Sequence, residues 1–140
     1  MAKEYLYTFY GENQLARNNF NYRGADISLE NSGCPKYVVA CQGDHITPPM
    51  GVLDSAEMLA GDVNIVLASG GHVRGVINPP DSNRGSYQVA GDPDMVEGSW
   101  WNHWLLWLIE LSGEAVEGNI CAPAQYPDLE PAPGSYVRAK

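Results

Sequence analysis

Two residues in this sequence stand where an acid and a base could serve one reaction. Asp44 follows the run KYVVAC with Gly43 beside it, and His72 follows NIVLAS behind Gly70 and Gly71. A histidine that removes a proton needs a carboxylate to fix its tautomer and to stabilise the imidazolium it becomes. Each residue alone has a plainer reading, the Asp as a turn former and the His as an exposed loop residue. As a pair behind two consecutive apolar runs, Asp44 and His72 are the candidate catalytic residues. His45, next to the acid, is the candidate for contact with substrate, and a solvent-facing loop histidine is the equal alternative.

The nucleophile is the missing part. A nucleophile elbow reads G-x-S-x-G, or the same with Cys, because the glycines permit a sharp turn from strand to helix. Cys41 has Gly43 after it but Val39 before it, and Ser69 has Gly71 after it but Leu67 before it. Cys41 also runs into Asp-His and a proline pair instead of a helix, so it reads as a buried strand thiol. With Cys34 and Cys121 it makes an odd set without a C-x-x-C pair, which suggests reduced thiols and neither a disulfide framework nor a zinc knuckle. His45, His72 and His103 lack close ligand spacing, so the pattern calls for no metal and no cofactor.

The elements that must position the pair follow from the hydrophobic pattern. KYVVAC and NIVLAS are continuous apolar runs of strand length, as in parallel strands covered on both faces. Between them, residues 51–59 place Val52, Leu53, Ala56 and Leu59 on one helical face. Strand, helix, strand makes one βαβ unit of an open α/β sheet, and functional groups gather beyond the carboxyl ends of such strands. The α/β-hydrolase order is nucleophile, acid, His, and the last two stand here in that order. The opening KEYLYTFYGENQLA predicts a helix with Tyr5, Leu6, Phe9 and Leu15 on a buried side, and residues 18–35 read as loop. Past Asn78-Pro79-Pro80 the chain is polar and Gly-rich as far as GSWWNHWLLWLIELSG. That segment is a helix capped by Ser99, striped by Trp100, Trp104, Trp107, Leu108 and Leu111 and closed by Gly113. Its tryptophans at helical spacing read as core before they read as a carbohydrate platform. The Pro-rich tail from Glu114 should be largely extended.

The chain has the length of one ordinary domain, at 140 residues and 44% hydrophobic content. Its net charge of −9 opposes nucleic-acid binding, which needs a basic surface. Arg74 and Arg84 remain candidates for meeting an anionic substrate locally. The apolar stretch Trp104 to Ile109 is far too short to span a bilayer, and MAKEYLYTF lacks a signal-peptide layout, so a cytoplasmic location is expected.

Four motifs in order, GDHITPP, SGGHVRGVINPP, GSWWNHWLLWL and LEPAPGSYVRAK, resemble the C-terminal part of polyhydroxyalkanoate synthases. The ending is most similar to the class I enzymes, and YLYTFYGENQLA resembles the end of the family's cap region. The resemblance implies an incomplete α/β-hydrolase fold: residues 1–30 as end of the cap and connecting loop, 31–113 as C-terminal part of the core, and 114–140 as the tail. It implies a cysteine-dependent acyltransferase that polymerises (R)-3-hydroxyacyl groups from coenzyme A thioesters into polyester. Asp44 matches the family's catalytic Asp and His72 its catalytic His, while the nucleophilic Cys lies in an upstream box that this chain does not contain. Pro49 stands where many members carry Trp. The implied partners are the 3-hydroxyacyl-CoA substrate, the polyester product with its granule surface, and either a second copy of the chain or a missing N-terminal portion. Two competing readings are a non-enzymatic remnant that binds a synthase or a granule, and a small hydrolase using Cys41 or Ser69.

Overall fold

The computed structural model describes residues 2–82, 84–118 and 129–139. Contacts divide the chain into two units, Met1–Glu110 and Leu111–Lys140. In the first, a short helix α1 (Ala2–Tyr5) continues as a π-helical turn over Leu6–Gly11. The expected buried side does not form: Tyr5 and Leu6 are more than half exposed, and Thr8 is the buried residue of this turn. Phe9 instead packs its ring against Phe20 and Tyr5.

Phe20 opens a hairpin of β1 (Phe20–Tyr22) and β2 (Ala25–Ile27) inside the stretch that reads as loop. Its tight turn holds Arg23 and Gly24 at positive φ, and the Gly24 N–H donates to the Asn21 side chain. Three-residue strands with mixed polarity leave no alternation for a sequence pattern to register.

The main sheet has the order β3-β4-β5-β6. KYVVAC is β3 (Lys36–Cys41) and VNIVLA is β4 (Val63–Ala68), and they pair in parallel from Lys36↔Val63 to Cys41↔Ala68. Helix α2 (Pro49–Glu57) connects them and packs on both. It starts two residues before the expected Gly51, because Pro49 takes the first helical position, where its missing N–H costs no hydrogen bond. The βαβ unit read from the sequence is only part of the sheet. Residues 81–98 are not all loop: β5 (Ser86–Val89) and β6 (Met95–Glu97) add antiparallel to β4, so the sheet is mixed. Among the described residues KYVVAC lies at the edge, paired with β4 alone, whereas β4 is paired on both sides.

Helix α3 (Trp101–Ser112) follows, with the Ser99 hydroxyl accepting from the Trp101 N–H at its start and Gly113 at φ 73° at its end. Trp100 stacks on Tyr37 of β3, and Trp107 tilts against the same ring. The Tyr37 hydroxyl meets His103 Nδ1 at 2.7 Å, and burial and then the neighbouring Tyr87 push the Tyr37 phenol upward. The expected stripe therefore holds in its first half only, since Leu108 and Leu111 are exposed. Cys41, Val66, Ala68, Tyr87 and Trp100 form the core cluster, flanked by Tyr37, Val39 and Val89. Val66 is its one large side chain that is completely buried among the described residues, so the core is thin for the apolar content.

In the second unit, Glu130 Oε1 accepts from the Ser135 N–H and hydroxyl at 2.7 and 2.8 Å, and these two bonds lower the Glu130 carboxyl below its usual range. A 3₁₀ turn over Tyr136–Arg138 follows, where an extended tail was expected. Cys121 and two of the prolines assigned to that tail, Pro123 and Pro127, lie outside the described residues.

Candidate active site

The acid and the histidine come from the loops after β3 and β4. Pairing runs past both strands: the Gln42 N–H donates to Ala68 O and the Gly43 N–H to Gly70 O, at 2.9 and 2.8 Å. Such close approach requires glycine on both sides. A Cβ on Gly43 would stand 3.0 Å from Gly70 O, and one on Gly71 would stand 3.2 Å from Gly43 O. Gly70 also adopts φ 100°, a conformation that other residues rarely take. The glycines that flank the pair in sequence are thus what allows the two loops to touch.

Across that contact His72 Nδ1 lies 2.9 Å from Asp44 Oδ2 and 3.2 Å from Oδ1. The carboxylate is almost wholly enclosed, with a side chain 4% exposed, while the imidazole is 41% exposed. Asp44 Oδ1 accepts from the N–H groups of Ile46 and Thr47, and Oδ2 accepts from the Thr47 hydroxyl at 2.8 Å. Burial alone would raise this carboxyl. The Thr47 N–H, the imidazole, the Thr47 hydroxyl and the Ile46 N–H together outweigh it and hold Asp44 well below the usual carboxylate range. An ionised carboxylate is an acceptor only, so a proton sits on Nδ1 toward Asp44, and of the two neutral tautomers this contact selects the one with its lone pair on Nε2. This is the arrangement of a general base with its orienting acid. Both loops therefore deliver their candidates to one place.

His45 is exposed in the turn after Asp44. The two alternative nucleophiles are engaged otherwise. Cys41 is 3% exposed, and burial and then Asp44 push its thiol upward, away from the thiolate that nucleophilic attack needs. Ser69 Oγ accepts the Ser86 N–H at 2.8 Å and ties β5 to the end of β4.

What holds the His72 loop was not legible beforehand. Residues 71–77 coil through Gly75 N–H to Gly71 O and Ile77 N–H to Val73 O. Trp100 Nε1–H then donates to Gly75 O at 2.9 Å and Trp101 Nε1–H to Val76 O at 3.0 Å, while the Ser99 hydroxyl donates to Asn78 O. Three consecutive residues at the start of α3 bolt down three carbonyls of the loop. Adjacent tryptophans were the available signal: indole N–H groups need acceptors when buried, and two neighbours on a helix cannot share one face. Thr47 carried a signal too, since an Asp three residues before a Thr commonly accepts local N–H bonds in a turn.

No protein-family model matches the chain. Among curated relatives, a poly(3-hydroxyalkanoate) polymerase of Methylorubrum extorquens is 34% identical over 97% of this chain and 24% of its own length. The polymerase subunit PhaC of Rhizobium meliloti is 33% identical over the same shares, and poly(3-hydroxyalkanoate) polymerase 2 of Ectopseudomonas oleovorans is 39% identical over 81% of this chain and 22% of its own length. The chain spans about a quarter of the length of the relatives it matches. Over most of its residues, then, this chain is a homologue of the poly(3-hydroxyalkanoate) polymerases, corresponding to about a quarter of one.

Proposed function

We propose that this chain is the C-terminal part of a class I-like polyhydroxyalkanoate synthase, in which Asp44 and His72 are the acid and base of a Cys-His-Asp triad. The observation that carries the reading is the 2.9 Å contact between His72 Nδ1 and a buried, ionised Asp44, on a chain whose homologues are polymerases. Residues 1–30 are the end of the cap region, 31–113 the C-terminal part of an α/β-hydrolase core, and 114–140 its tail.

His72 Nε2 takes the proton of a cysteine thiol supplied by a G-x-C-x-G box outside this chain, and Asp44 stabilises the imidazolium. The thiolate attacks the carbonyl of a 3-hydroxyacyl-CoA thioester, the C–S bond to coenzyme A breaks, and the imidazolium returns its proton to the departing thiolate. His72 then removes the proton of a hydroxyl whose oxygen displaces the acyl-enzyme sulfur, so that an ester forms. His45, exposed beside the acid, is assigned to substrate contact. The reaction belongs in the cytoplasm, at the surface of the polyester granule.

The test joins this chain to a matching upstream portion and follows release of free coenzyme A from 3-hydroxybutyryl-CoA. His72→Ala and Asp44→Asn should each lower turnover by about three to four powers of ten, and Cys41→Ala should leave it high. Robust turnover by the chain alone, lost on replacing Cys41, would reverse the assignment. The exposed Leu105, Leu106 and Ile109 on α3 keep a second reading in play, a non-enzymatic granule-binding remnant. That reading prevails if the joined protein is inactive while the chain alone sediments with granules.

A further inference from the structure

One of the donors that hold Asp44 is not accounted for by the turn it sits in. Oδ1 takes the N–H groups of Ile46 and Thr47, at 2.9 Å each, as an aspartate at the head of any such turn does. Oδ2, the oxygen nearer to His72 Nδ1, takes the Thr47 hydroxyl at 2.8 Å. We propose that Thr47 is a positioning residue of the triad: its hydroxyl, sharing Oδ2 with the imidazole, fixes the plane of the carboxylate and through it the direction in which His72 presents Nε2. The inference rests on the acid–base reading above and assigns a further residue to it.

The carboxylate needs a hold of its own. The Cβ–Cγ torsion of an aspartate is broad, so partners and not a rotamer well set its plane. The two N–H bonds anchor one oxygen. On the other, the imidazole is the looser partner, since its side chain is 41% exposed against 4% for the acid. That leaves the hydroxyl. Without it the carboxylate turns until the ring proton lies between its oxygens, and the distances of 2.9 and 3.2 Å that now distinguish them converge.

Thr47 suits the task because its hydroxyl is held in place before it bonds. Its branched Cβ stiffens χ1, and Pro48 after it restricts its backbone to the extended region. Pro48 is itself extended, at φ −54° and ψ 140°, and Pro49 takes the first position of α2, which packs on β3 and β4. A donor ordered in this way loses little entropy when it bonds.

Charge follows from the same contact. The titratable groups that face Asp44 are the imidazole, from the loop after β4, and the Cys41 thiol at the end of β3. The hydroxyl helps to keep the carboxylate ionised between them. A carboxylate deprived of it binds a proton more readily and also grips the proton of the imidazolium harder. Both changes carry the proton of the pair to higher pH.

The test compares Thr47→Val and Thr47→Ser in the joined enzyme, with coenzyme A release from 3-hydroxybutyryl-CoA followed across pH. Thr47 is exposed in its turn, so a valine of nearly the same shape displaces nothing from the core. Thr47→Val should lower kcat about five- to tenfold with KM unchanged, and should move the acidic limb of the profile up by about half a pH unit. Thr47→Ser keeps the hydroxyl and should restore both. Equal losses in the two variants would show that the methyl group matters and overturn the proposal, as would a wild-type limb in Thr47→Val. The chain alone gives a readout without turnover: the His72 ring, followed by NMR, should give up its proton at higher pH in Thr47→Val than in wild type or Thr47→Ser. Coincident curves would overturn the proposal. A shifted ring titration beside a joined enzyme indifferent to His72→Ala would sink the triad reading and leave the positioning by Thr47 standing.

Discussion

Gly75→Ala isolates the packing that sets the histidine loop on its strand. Gly75 is absent from the glycines at positive φ, so alanine is compatible with the backbone there, and any cost must come from contact. The contact is severe: the new methyl carbon would stand 2.5 Å from Cys41 Sγ, 2.8 Å from Gly71 O and 3.0 Å from Cys41 Cβ. Overpacking of this kind typically destabilises by about 1–3 kcal/mol. For a unit of the size of Met1–Glu110, each kcal/mol lowers the midpoint by about 4 °C, so a loss of roughly 4–12 °C is expected. The second variant separates the two obstacles. Cys41→Ala removes the sulfur but leaves Gly71 O, so Gly75→Ala with Cys41→Ala should recover part of the loss and not all of it. Thermal melts followed by far-ultraviolet circular dichroism give the midpoints, and the same spectra check the secondary structure. A single variant Gly75→Ala that melts with wild type, or a double variant less stable than the sum of the two singles, would refute the packing argument.

Trp100→Phe keeps most of the ring but loses the N–H to Gly75 O, leaving a buried carbonyl unpaired; denaturant titration should show a loss of about 1–3 kcal/mol, and an unchanged midpoint would contradict the bolt. The Asp44 carboxyl is depressed in the folded state, so its contribution to stability is complete above the unfolded carboxylate range of about 4 and is lost as pH falls further through the folded value. Denaturation from pH 7 down to pH 2 should show this acid-side loss shrinking in Asp44→Asn, and parallel curves for the two proteins would count against it. In a Cys121→Ala background, exposed Cys34 should react with a thiol reagent at once and buried Cys41 only on unfolding; equal rates would contradict the burial of Cys41.

The pair Asp44 and His72 was legible because its signals are local. Two β-branched runs are each followed closely by glycine, and Asp44 and His72 stand three and four residues past the paired strand ends Cys41 and Ala68. Helix α2 was legible for a similar reason, with one apolar face and a proline at its start. The β5–β6 hairpin was not. SYQV and MVE are too short to show a period, and the edge of β4 that pairs with SYQV is a tertiary fact. The buried side expected for the opening helix failed in the opposite way: Tyr5, Leu6 and Phe9 have the right spacing, but Tyr5 and Leu6 stay more than half exposed. The indole N–H bonds to Gly75 and Val76 were hidden because spacing reports which face of a helix is apolar, and says nothing of where its polar atoms end.

The bolting of the histidine loop by α3 has a consequence for how this part of the chain tolerates rearrangement. The acid, the histidine and the three residues that lock the loop all lie between Asp44 and Trp101, and the strands and helix that carry them belong to one uninterrupted stretch. Their mutual contacts close short loops, which keeps the entropy of assembly low. An insertion, a cut or a crossover anywhere upstream of β3 leaves every one of these contacts within a single inherited segment. The segment that brings Asp44 and His72 together can therefore be passed on or shuffled as one block, with its geometry carried by its own connectivity.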